Sequence, residues 1–158
     1  MSSLHVAFEY LRTRLREIKN VNALRVLDEG ALIVTIAQPS FHEDIAIYLL
    51  AGELSVGFIK KMLNANTQRD MHTLFILAFD LITEDGATAI MSDALRLLLH
   101  AYGGQVYAYR LDGARVAILP VEVSKSVSIS SGAPVNLAHI SGDYATFDNK
   151  YLLGVRKV

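Results

Sequence analysis

The sequence contains no cysteine and no tryptophan, and only 3 of its 158 residues are proline. Without a thiol there is no disulfide framework, no thiolate zinc or iron–sulfur site, no cysteine nucleophile and no carboxy-terminal prenylation box. A surplus of one charge is missing too: 15 Lys and Arg stand against 16 Asp and Glu, for a net charge of −1. That balance argues against a strongly electrostatic nucleic-acid binder and leaves room only for a local basic patch. Long apolar runs are absent as well. The run 74–79 falls far short of the roughly 20 residues a bilayer span needs, and Arg12, Arg14, Arg16 and Lys19 interrupt the segment where a secretory apolar region would lie. These absences predict a cytoplasmic protein with no membrane segment.

What is present is apolar. Hydrophobic residues make up 52% of the chain and charged residues 20%, with a mean hydropathy of +0.32. Such a composition excludes intrinsic disorder and suits one domain with a sizeable core. It also implies apolar surface hidden against another subunit or partner.

Leu4, Phe8, Leu11, Leu15 and Ile18 recur at spacings of four and three, which places them on one stripe of an amphipathic helix capped by Ser2 or Ser3. From Leu24 the period changes. The stretches 24–27 and 31–37 read as strands around the turn Asp28-Glu29-Gly30, and 44–50 reads as a buried third strand. Ser55 caps a short helix carrying Phe58, Ile59, Met62 and Leu63. The segment 72–79 is the most hydrophobic and predicts a central strand parallel to a neighbour. Ser92 caps a third helix with Ile90, Ala94, Leu97, Leu98 and Ala101 on its apolar face, stopped by Gly103 and Gly104. Asp112-Gly113 between 105–110 and 115–121 is a hairpin signal. The expected fold is a single α/β domain over 1–158: a mixed sheet flanked by helices in the order α-β-β-β-α-β-α-β-β. Its core covers about 4–123, and 124–158 forms an irregular or edge-strand extension, with 151–158 as a last edge strand or tail.

No complete catalytic pattern is found. The glycine-rich dinucleotide and P-loop fingerprints are missing, as are the nucleophile elbow, the S-x-x-K pair and H-E-x-x-H. Ser130, Ser131 and Ser141 read as loop serines, and His139 and Ser141 are too close along the chain for ready triad geometry. His42-Glu43-Asp44 is the only dense set of possible ligands. At the start of a strand its side chains alternate faces, so Glu43 does not join its neighbours at one ion. No cofactor, no metal and no catalytic residue is therefore expected.

The order helix, three strands, helix, strand over about 4–79 resembles the core of the restriction-endonuclease-like (PD-(D/E)xK) nucleases. The resemblance implies an acid and an acid-x-Lys pair on the second and third strands, where they would hold Mg²⁺ beside a phosphate. This sequence departs from that pattern. Residues 31–37 contain no acid, and the centre of 44–50 contains neither Glu nor Lys; only Glu9, Asp28, Glu29 and Asp44 lie nearby. If the fold is shared, the active site is degenerate.

Three roles remain. The first is a non-catalytic interaction or regulatory domain, with Arg12 and Arg16 on the first helix and Tyr107 and Tyr109 on one face of a hairpin strand as its candidate surface, a face that suits either packing under the third helix or an aromatic contact. Its expected partner is a protein or a second copy, giving a homodimer along the edge near Tyr107, Tyr109 and 151–158. The second is a nucleic-acid-associated protein, with Arg12, Arg14, Arg16, Lys19, Arg25, Lys60, Lys61 and Arg69 gathered if both helices share a sheet face. The third is a small-molecule site at the carboxyl ends of the strands, near Gly52 and Asp80.

Overall fold

A computed structural model describes residues 2–37, 42–135, 137, 139–141 and 151–153. Helix α1 (Ser3–Glu17) begins where the Ser2 hydroxyl accepts the His5 amide at 3.1 Å, and its stripe of Ala7, Phe8, Leu11 and Leu15 is buried. Strands β1 (Val21–Asp28), β2 (Ala31–Ala37) and β3 (His42–Leu50) form an antiparallel meander. The first and third strands start earlier than the apolar pattern indicated, because pairing with β2 extends through polar Asn22, His42 and Glu43. Gly30 turns the chain at φ +86°, where an added Cβ would meet the Leu49 carbonyl oxygen at 3.3 Å and Leu4 at 3.5 Å.

Helix α2 (Val56–Gln68) carries the chain back so that β4 (His72–Ala78) lies parallel to β3, and α3 (Asp93–Ala101) does the same for β5 (Gln105–Asp112). Their amino-terminal amides at Phe58 and Leu95 bond the hydroxyls of Ser55 and Ser92. β6 (Arg115–Val123) returns antiparallel to β5, running through Pro120, and β7 (Ile129–Ser131) pairs with its end. The described residues form one seven-stranded mixed sheet in sequential order flanked by three helices, an α/β single-domain fold. β8 (His139–Ser141) and β9 (Tyr151–Leu153) form a separate parallel pair.

The two sheet faces can be told apart by their contacts. Asn66 of α2 donates from Nδ2 to the Tyr48 hydroxyl and to Thr73 Oγ1, and Tyr48 stacks on Phe75 while meeting Phe58 edge-on. Thr73 and Phe75 therefore face α2. By alternation Ile76 and Ala78 face α1, and so do their register partners Tyr107 and Tyr109 on β5.

Several expectations are corrected here. Ile90 precedes α3 and is 39% exposed, so it is not on that helix's buried face. Asp112 pairs with Arg115, so the hairpin loop is Gly113-Ala114, one residue later than the sequence signal. Ser130, Ser131 and Ser141 lie in short strands rather than loops. Of the expected last edge strand 151–158, residues 151–153 join β8 instead of the main sheet, and 154–158 lie outside the described residues. No helix among the described residues is long and apolar enough to cross a membrane.

Candidate functional site

β4 and β5 are paired over only three residue pairs, ending at Ala78–Tyr109, while β5 runs on with β6 to Asp112. Past Ala78 the chain leaves the sheet in a 3-10 turn, Phe79–Leu81. The gap between the departing chain and the continuing strand is a cleft of about 370 Å³ at the carboxyl ends of the parallel strands. Its walls include Phe79, Asp80 and Glu84 from the departing segment, Tyr109 and Arg110 from β5, and Ser3 from the first turn of α1. A neighbouring cleft of about 280 Å³ lies among Gly52, Glu53, Asp80 and Ser92, so Asp80 borders both.

The outer wall is held by a dense set of hydrogen bonds. Asp85 Oδ1 accepts the amides of Thr88 at 2.7 Å and Ala87 at 2.8 Å, with the Thr83 hydroxyl at 3.1 Å. Those two amides and that hydroxyl pull the Asp85 pKa down to about 2. The buried Thr83 hydroxyl also accepts from the Gly86 amide, and backbone bonds from Ala89 to Val127 and from Ile129 to Ala87 tie the segment to β7. The cleft is therefore preformed.

Its inner wall holds the chemical anomaly. Tyr109 is only 2% exposed, yet its hydroxyl has no hydrogen-bond partner among the described residues. Burial, and then the negative charge of Asp80 beside it, raise its pKa to about 12, so the phenol stays a neutral donor. The contrast with Tyr102 is instructive: that hydroxyl is buried too, but donates to the Thr73 carbonyl at 2.6 Å. Arg110 lays its guanidinium 5.5 Å from the centre of the Phe79 ring, and its Nε is 3.5 Å from Asp112.

Of the residues expected to form an interaction surface, the two tyrosines are buried. Tyr107 is 7% exposed and Tyr109 2%, on a strand flanked by β4 and β6, so neither lies at a sheet margin. Arg12 pairs with Glu9 on its own helix, whereas Arg16 is exposed. The eight basic residues cannot form one patch, because α1 and α2 cover opposite faces of the sheet. The acids at the start of β3 also part company: Glu43 Oε2 lies 3.3 Å from His72 Nε2, Asp44 accepts from the Thr35 hydroxyl at 2.6 Å, and His42 contacts Asn22. Among the described residues no three metal-ligating side chains converge.

The sequence singled out the carboxyl-end region through Gly52 and Asp80 but missed Ser3, Glu84 and Arg110 as parts of it, and it left Tyr109 either packed under the third helix or on a contact surface. No family model, no curated protein and no solved structure matches this chain.

Proposed function

We propose that this chain is a non-catalytic regulatory domain that works by holding a small polar molecule in the cleft between β4 and β5. The observation that carries the reading is the Tyr109 hydroxyl, buried in the cleft wall without a partner among the described residues. A buried hydroxyl left unsatisfied costs about 1–3 kcal/mol, a burden that a bound ligand relieves. Cleft size supports the reading, since small-molecule sites span about 300–1,000 Å³. So does position, outside the carboxyl ends of parallel strands. The test is a titration of the isotope-labelled chain with a mixed library of polar small molecules, followed by amide chemical shifts. Binding at this site moves the amides of Phe79, Asp80, Tyr109 and Arg110 together. Shifts confined to other regions, or none, would overturn the proposal.

For the protein partner, the exposed edge strand β1 favours a second copy of this chain. Val26 is 40% exposed and Leu27 50%, and they are flanked by Arg25 and Asp28. An antiparallel copy centred on the apolar pair sets the Arg25 end of one strand beside the Asp28 end of the other. The nuclease-like alternative keeps only the support of its element order, because Glu43 and Asp44 point to opposite faces of β3 with separate partners.

A further inference from the structure

Both signs of charge meet in this one cleft. Asp80 and Glu84 supply two carboxylates from the segment that leaves β4, and Arg110 supplies a guanidinium from β5. The first turn of α1 adds the partial positive charge of a helix start at Ser3, on a helix of 15 residues. Tyr109 lines the same cleft, and its buried hydroxyl is a neutral donor with no acceptor among the described residues. An anion alone would confront Asp80 and Glu84. A plain amine would satisfy those acids but leave the Tyr109 hydroxyl without an acceptor.

We propose that the cleft is a receptor for a zwitterionic amino-carboxylate, of which a free α-amino acid is the simplest example. Its ammonium is held by Asp80 and Glu84, and its carboxylate accepts from Tyr109 and faces Arg110 and the start of α1. The proposal rests on the reading of this cleft as the ligand site and names what that site selects. At about 370 Å³ the cleft admits a molecule of amino-acid size with room for bridging water. The apolar atoms of Phe79 and Leu111 are the part of the wall available to a side chain. A ligand of this kind does not require a lid, because the hydrogen-bonded 83–88 segment already fixes the outer wall.

The probes are glycine, L-alanine, L-leucine, L-glutamate and L-lysine, with butylamine and butyrate as single-charge controls. Each is titrated into the whole chain by calorimetry and by amide chemical shift. The expected result is binding of at least one amino acid with shifts at Asp80 and Arg110, and no measurable binding of either control. Asp80→Asn and Tyr109→Phe should each weaken that binding about tenfold or more, the loss expected for one desolvated polar contact. Asp93→Asn, on α3 and outside the cleft, should leave it unchanged and controls for folding. Butylamine or butyrate binding as tightly as the amino acids, with shifts in the cleft, would overturn the ligand class while leaving the site intact. Amino-acid binding that is indifferent to both cleft variants would overturn the location. If no probe binds and the polar library moves no cleft amide, the underlying site reading falls with it.

Discussion

Removing one oxygen atom from each of two buried tyrosines should change stability in opposite directions. In Tyr102→Phe the lost hydroxyl had donated to the Thr73 carbonyl at 2.6 Å from a fully buried position. The variant forfeits that bond and should lose about 1–2 kcal/mol. In Tyr109→Phe the hydroxyl removed has no partner among the described residues, and its residue is 2% exposed. Deleting it relieves a desolvation cost, so the unliganded variant should gain about 1 kcal/mol. The two variants therefore differ by about 2–3 kcal/mol despite identical chemistry. Urea unfolding at neutral pH reads this directly, and in a chain of this length each kcal/mol shifts the melting temperature by about 2–4 °C. Alkaline pH gives a second check on sign. The folded phenol keeps its proton to about pH 12, whereas the unfolded one loses it near 10.0. Folded protein therefore binds more protons between those values, and the contribution is intact below pH 10 and drains away as pH rises toward 12. Tyr109→Phe should remove that component of the alkaline loss. If Tyr109→Phe destabilises the chain as much as Tyr102→Phe, the hydroxyl serves the fold, and the argument for a ligand site loses its foundation.

Two further outcomes are expected. Asp85 has its pKa lowered from 3.8 to about 2, so its contribution is fully present above pH 3.8 and is lost as pH falls toward 2; Asp85→Asn should flatten the acid limb of a melting-temperature profile over that window, and an unchanged profile would contradict the assigned hydrogen bonds. Leu27→Lys alters a residue already 50% exposed on an edge strand, so stability should change by no more than about 0.5 kcal/mol, while sedimentation equilibrium shifts from dimer to monomer; a wild-type chain that sediments as a 17.4 kDa monomer at every concentration rejects the β1 interface.

The fold was legible wherever burial on one face imposed a period. Leu4, Phe8, Leu11 and Leu15 announce α1 because only one side of it meets the sheet, and 72–78 reads as a central strand because helices cover both of its faces. Ser55 and Ser92 mark helix starts through a local bond three residues on, which needs no tertiary knowledge. Legibility failed where pairing, rather than burial, makes the strand. β1 is exposed over most of its length, so Val21 to Ala23 carry only a short apolar signal and the ladder with β2 on either side of Asn22 defines them. The sequence also could not say which side of the sheet each helix takes. Placing α1 opposite α2 separates Arg12 and Arg16 from Lys60 and Lys61, and a patch that was plausible on paper has no surface to occupy.

The cleft was half legible for a related reason. Carboxyl ends of parallel strands are positions that a strand–helix–strand pattern locates in advance, which brought Asp80 and Gly52 forward. Tyr107 and Tyr109 share a face by simple alternation, and that inference holds. What alternation cannot supply is the strand's place in the sheet. A hairpin signal says that β5 and β6 pair, but not that β5 also pairs with β4 on its other side and turns its tyrosines beneath α1. That one long-range contact decides between the two readings of Tyr109, a contact aromatic or a packed one, and leaves its buried hydroxyl without a partner among the described residues. The same short pairing, ending at Ala78, opens the gap that Asp80, Glu84, Arg110 and Ser3 surround. These four come from three separated parts of the chain with no spacing rule among them. Their chemistry as a group exists only once the sheet order is set, so the site follows from topology where the helices and the buried strands follow from periodicity.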